Sequence, residues 1–266
     1  MSKIQQILNS DFIISFGTFC EDKQIINSIE EAVNKNNSKF IYMHPIDNAN
    51  LKPFYSQLIK YEVGSEEGIC ALLLNSFVKN SSKEIEKFIE DLDLGYISAE
   101  SSAGEEEFEE ANEAYSKAKN KSLIIGNDLI LHERVENIVK LLAVIKKYSD
   151  FNLVVLDKNL EKSIDSCSNF DLEELEELKS FNGTLVYKLV DENSDELLVS
   201  QTFANIAKVV DNSEVYLISK NEKIKRVLKI DKNFAILEDL VTPIKNIKLE
   251  LDALNGAFNN DLILAK

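Results

Sequence analysis

At 266 residues and 44% hydrophobic side chains, the chain has enough apolar material for a real core and room for one large domain or two small ones. Thirty Lys and Arg against 46 Asp and Glu leave a formal net charge of -16 and no basic stripe. That balance argues against nucleic-acid binding and against attachment to an anionic membrane, since both need clustered cations. No run approaches the roughly 20 apolar residues of a membrane span, and MSKIQQILNSDFIISFG lacks the apolar centre of a secretory signal, so no membrane insertion and a cytoplasmic location are expected. The three cysteines, Cys20, Cys70 and Cys167, are far apart and read as reduced packing residues.

Asp11 to Phe16 reads as a strand, Ile25, Ile26, Ile29 and Val33 mark one face of a helix, and Lys39 to Met43 is the next strand. Strands joined by a helix of this length favour a right-handed parallel crossover. His44 to Phe54 holds two of the three prolines and reads as a loop, followed by a short strand from Gln57 to Tyr61. Ser65 is placed to cap a helix with Ile69, Leu72, Leu73 and Phe77 inward, with Glu66 and Glu67 at the positive end of its dipole. Helices are expected at Lys83 to Asp91 and Glu105 to Lys119, joined by a serine-containing linker from Gly95 to Gly104. The segment from Ser81 to Lys119 carries twelve acidic and four basic residues, half of the net charge, and reads as a solvated face or as a docking surface for a basic partner.

Ser122 to Leu156 is the clearest unit. Leu123 to Ile125 is a strand ending at Gly126, Val135, Ile138, Val139, Leu142 and Ile145 recur at helical spacing, and Leu153 to Leu156 is a second strand. After Asp171 to Lys179 the pattern changes, near Gly183, to short strand-like runs: Thr184 to Val190, Glu196 to Ser200, Val215 to Ser219, Lys225 to Ile230 and Phe234 to Leu237. The expected fold is therefore α/β, a parallel sheet with flanking helices over residues 1–182, followed by a smaller, mostly β domain over 183–266.

Ligands in open α/β sheets sit beyond the carboxyl ends of the strands, which singles out His44, Gly64, Gly126 and His132 as the positions that could face one. Their chemistry is sparse. The first turn, GTFCED after Phe16, has one glycine and two acids that would repel a phosphate, and no GxGxxG is present. Three cysteines cannot supply an all-cysteine set for a four-iron cluster, and neither they nor the two histidines form the short-range pairs usual in metal sites, so no metal and no cofactor is expected. His132 is a better candidate base than His44, but no triad surrounds either, and both read as loop or capping residues.

KFIYMHPIDNANLKPFYSQLIKYEVGSEEGICALLLNSF, GYISAESSAGEEEFEEA and the Ser122 to Leu156 unit, in this order, resemble the molybdopterin-oxidoreductase-like part of the large iron-sulfur subunit of NADH-quinone oxidoreductase, respiratory complex I, closest to its campylobacter and helicobacter type. The tail QTFANIAKVVDNSEVYLISKNEKIKRVLKIDKNF resembles the molybdopterin dinucleotide-binding β-barrel, where a helix with an N-x-x-x-A pattern precedes a D-x-V strand. Asn205, Glu214 and Val215 fall near those positions, with Val209 in place of the alanine and Ser213-Glu214 in place of Gly-Asp. The resemblance implies α/β layers followed by a barrel-like domain, and a place in the peripheral arm at the cytoplasmic face of the inner membrane, held through partner subunits. The family's cysteine-rich iron-sulfur region has no counterpart here, and no Ser or Cys stands in a context for ligating molybdenum.

The leading functional expectation is a non-catalytic structural or partner-binding subunit of a respiratory oxidoreductase complex. The alternative is a soluble nucleotide- or pterin-binding protein or enzyme with its site between the α/β layer and the β domain. A plain α/β domain of an unrelated complex is the third.

Overall fold

A computed structural model of the protein describes residues 1–130, 132–178, 185–188, 196–218, 223–231, 241–244 and 263–265. The chain divides into two compact units, Met1–Ser180 and Phe181–Lys266.

The first unit runs α1 (Lys3–Leu8), β1 (Phe12–Phe16), α2 (Lys23–Asn36), β2 (Lys39–Met43), β3 (Gln57–Ile59), α3 (Glu66–Phe77), α4 (Lys83–Glu90), α5 (Leu94–Ser101), α6 (Glu105–Lys117), β4 (Lys121–Ile125), α7 (Val135–Tyr148), β5 (Phe151–Val155) and α8 (Lys158–Ser166). The five strands form one parallel sheet in the order β3-β2-β1-β4-β5. Phe12 is level with Lys39 and Lys121, and Lys121 with Phe151, so the carboxyl ends at Phe16, Met43, Ile125 and Val155 lie flush along one edge. From β1 the chain builds outward through β2 and β3, then crosses to the other side for β4 and β5. The switch point therefore falls between β1 and β4.

The strands read as continuous apolar runs because both faces of the sheet are covered. Phe12, Ile14 and Phe16 belong to the larger core, with Ile41, Met43, Leu123 and Ile125. Ile13 points the other way and packs with Phe40, Tyr42, Ile124 and Val154 against the side that holds Ile7, Ile25 and Ile29. In α3, Ile69 through Leu74 are all buried, so this helix is apolar all round and lies within the core.

Three local expectations change. The linker expected from Gly95 to Gly104 is mostly α5, because Asp93 accepts the Tyr96 N–H at 3.0 Å and the helix buries Ile97 and Ser101. Ser65 does not cap α3: at φ -94° and ψ 11° its hydroxyl turns away from the helix and donates to the Glu62 carbonyl at 2.6 Å. The helix after β4 begins at Val135, behind a one-turn 3-10 segment (Asn127–Leu129), so His132, which its place in the sequence puts at the opening of that helix, instead precedes it. Two short helices carry too few buried positions to stand out in the sequence. In α1 the Ser2 side chain caps Gln5 and Ile7 is buried; in α8 Asp157 caps Asn159 and Leu160, with Leu160 and Ile164 buried.

The second unit contains β6 (Leu185–Lys188), β7 (Glu196–Val199), α9 (Gln201–Ala207), β8 (Glu214–Ile218), β9 (Lys223–Ile230), β10 (Val241–Ile244) and β11 (Ile263–Ala265). The strand order β11-β8-β9-β7 forms a mixed four-stranded sheet, and β6 pairs with β10 in parallel. Ser200 caps α9 through the Phe203 N–H at 3.0 Å, and Phe203 and Ala204 pack on Leu197, Val199, Val215 and Leu228. Gly183 and the run from Phe234 to Leu237 lie outside the described residues. Among the described residues no helix is long and apolar enough to cross a membrane.

Candidate functional site

The turns after β1 and β4 meet at the switch point, where an open α/β sheet has its ligand crevice. The Gly126 N–H donates to the Phe16 carbonyl at 2.9 Å, and the Asp128 N–H donates to the Gly17 carbonyl at 3.0 Å. A Cβ on Gly126 would stand 2.1 Å from the Gly17 oxygen and 2.3 Å from the Thr18 Cβ. Gly17, at φ +67°, in turn lies under the Leu129 side chain, 2.8 Å from where its own Cβ would be. Gly126 thus lets backbone approach backbone, as in a phosphate-binding turn, and Gly17 makes room for the Leu129 side chain, so the space the two glycines open is taken by this chain.

The rest of the first turn is also occupied. Phe19 and Cys20 are buried, and the Asn48 side-chain amide donates to the Phe19 carbonyl, tying the loop after β2 to the turn after β1. Burial first, and Asp22 second, push the Cys20 thiol up to about 12, which leaves it without a thiolate near neutrality.

The two histidines named from the sequence share one arrangement. In His44, Nδ1 accepts the backbone N–H of Ile46 at 3.0 Å, so Nε2 carries the hydrogen and donates to Asp128 Oδ2 at 3.2 Å. His132 repeats it: Nδ1 accepts the Arg134 N–H at 3.0 Å, and Nε2 donates to the Gly64 carbonyl at 3.3 Å. Both rings are buried, and His44 stacks on Tyr42 with Phe19 at its edge. Each ring has both nitrogens engaged and acts as a pin. His44 fastens the end of β2 to the turn after β4, across the top of β1, and His132 fastens the far end of that turn to the start of α3.

Behind them lie two buried acids, Glu66 and Glu67, which the sequence placed only at the positive end of the α3 dipole. Glu67 is 2% exposed and its Oε1 accepts from Asn137 Nδ2 at 2.7 Å and from Arg134 Nε at 3.2 Å. Burial raises its carboxyl above the ordinary value, while the Asn137 hydrogen bond and Arg134 pull it down. Glu66 is 1% exposed, and neither of its oxygens has a hydrogen-bond partner among the described residues; His132 Nε2 stands 3.6 Å from Oε2. Burial pushes it up to about 8, with the charge of Asp128 adding to the shift. Glu66 therefore holds its proton at neutral pH.

The structure brings His44, Gly64, Gly126 and His132 to one edge, and adds Asp128, Glu66, Glu67, Arg134 and Asn137, which the sequence did not single out. Asp128 carried a signal, since it lies two residues beyond the strand-ending glycine. For Glu66 and Glu67 the signal was the uninterrupted apolar run ICALLL that follows, which leaves α3 no polar face to present to solvent. Among the described residues no group of three or more His, Cys, Asp or Glu is arranged to hold a metal ion. The chain matches no family model and no curated protein.

Proposed function

We propose that this chain is a non-catalytic structural or partner-binding subunit of a respiratory NADH-quinone oxidoreductase type complex, seated in its peripheral arm through other subunits and without a redox centre of its own. The observation that carries this reading is the closure of the switch point: Gly126 lies against Gly17 and Thr18, Leu129 covers Gly17, and Asp128 is pinned to His44. A crevice filled by its own backbone serves as scaffold. The ordered likeness of three long segments to the molybdopterin-oxidoreductase-like part of the large iron-sulfur subunit supports the assignment to that complex. In the second unit, α9 leading through Val209 into the antiparallel β8–β9 pair supports a barrel-like domain of the molybdopterin dinucleotide-binding type. The test is affinity purification of the tagged chain from its native cells in mild detergent. Recovery of complex I subunits in fixed ratio is expected, and their absence overturns the proposal.

One observation favours the alternative of a small-molecule binder. Glu66 is a buried, protonated acid without a hydrogen-bond partner beside the strand ends, as a ligand-binding acid would be. Native mass spectrometry separates the two, since a retained nucleotide or pterin adds its mass to the 30.1 kDa chain.

A further inference from the structure

Away from the switch point, α4 and α5 form a groove of about 710 Å³ with the strap of residues 171–178. Its floor is apolar: Phe88, Leu92, Leu172 and Leu175 are each only partly buried, and Tyr96 is 37% exposed, one of four large hydrophobic side chains that stand out into solvent among the described residues. Its rim is acidic, with Glu84, Asp91, Asp93 and Glu174 against a single Lys87.

The groove is held open by contacts made behind it. The Leu178 N–H donates to the Tyr96 hydroxyl at 3.1 Å. Glu173 receives Arg134 at 2.9 Å and Lys140 at 2.6 Å, and the Asn137 amide bonds the Glu173 backbone in both directions. The strap is therefore fixed on α7 with Leu172 and Leu175 turned to the groove, and an occupant would find the walls already ordered. Four carboxylates around an apolar floor select against acidic and plain hydrophobic occupants. An amphipathic segment with an apolar stripe and flanking Lys or Arg satisfies both the floor and the rim.

We infer that the α4–α5 groove is a docking site for a basic amphipathic segment of a partner protein. This rests on the reading of the chain as a partner-binding scaffold and gives that reading its surface. The experiment uses the full chain and a fluorescein-labelled amphipathic helix of Leu and Lys, about 18 residues long, with a scrambled peptide of the same composition as control. The ordered peptide is expected to bind about tenfold tighter than the scrambled one, and the affinity to fall with added salt. D91K/E174K is expected to weaken binding by about tenfold, whereas E105K/E106K, an equal charge reversal at the exposed start of α6, is expected to change it by less than about twofold. Amide shifts on titration are expected in residues 84–97 and 172–175. Equal loss in the two variants, equal binding of the scrambled peptide or shifts elsewhere on the molecule overturn the inference. Concentration-dependent dimerisation abolished by D91K/E174K overturns it too, because the occupant is then a second copy. The assay contains no complex I subunit, so its failure leaves the co-purification result standing, and failed co-purification leaves the groove standing.

Discussion

At the carboxyl edge of the sheet, acidic side chains are turned inward: partly exposed Asp128 is tied to His44, buried Glu67 to Arg134 and Asn137, and buried Glu66 is protonated beside His132. On the α4–α5 groove the same residue type faces outward, and Glu84, Asp91, Asp93 and Glu174 stand around apolar side chains with one lysine among them. The first arrangement uses most of its polar groups to hold turns together. The second leaves most of its charges to be met by something else, although Asp93 also caps α5. Where polar groups are consumed internally the surface is architecture, and where they stand beside exposed apolar area the surface is available for binding.

Substitutions in the two regions should differ in kind, and the largest effect belongs to the closed edge. Gly126→Ala forces a Cβ into the Gly17 backbone, where no side chain can move aside, and should cost about 3 kcal/mol or more in urea unfolding, or prevent folding. A neutral outcome would mean that the two turns are not in contact. Next, Arg134→Ala leaves the buried Glu67 without its cation and should cost about 2–3 kcal/mol, scaled down from a fully buried pair because Arg134 keeps some exposure.

Glu66 gives an effect that depends on pH, absent in acid and fully developed only near pH 8. Unfolded, the group titrates near its ordinary value of 4.5; folded, near about 8. Between those values the folded state keeps a proton that the unfolded state releases, so the contribution is complete below about 4.5 and is lost as pH rises through about 8. Glu66→Gln removes the dependence. Its unfolding free energy should match wild type near pH 4.5 and exceed it by roughly 4 kcal/mol at pH 8. Parallel stability profiles for the two proteins would show that Glu66 is solvated. Smallest in stability is D91K/E174K, expected within about 0.5 kcal/mol of wild type, since both side chains stand in solvent; a larger loss would assign those carboxylates to the fold instead of to a partner.

The parallel sheet was legible because strands buried on both faces are unbroken apolar runs, and Phe12 to Phe16, Lys39 to Met43 and Leu123 to Ile125 have that form. The turn glycines marked where those strands stop. What the turns do there was not legible, since the contact between Gly17 and Gly126 joins residues more than a hundred positions apart and depends on the strand order. The helix-dipole rule put Glu66 and Glu67 at the first turn of α3 but said nothing of their burial, which follows because the helix from Glu66 to Leu74 lies within the core. The residues from Gly95 to Gly104 looked like a linker because glycine and serine are frequent there, whereas a single capping aspartate and two buried positions sufficed for a helix. The histidines were found by type and position, but their role follows from backbone N–H groups two residues on, which fix the ring hydrogen on Nε2.

Residue-resolved amide hydrogen exchange at Gly126 and Asp128 tests the closed switch point most directly. Their N–H groups bond the carbonyls of Phe16 and Gly17, and a crevice permanently filled by the chain can release them only when the whole first unit unfolds. The expected result is exchange with the free energy of global unfolding, unchanged by added nucleotide. Exchange orders of magnitude faster, slowed when nucleotide is added, would show a crevice that opens to a ligand and would contradict the account.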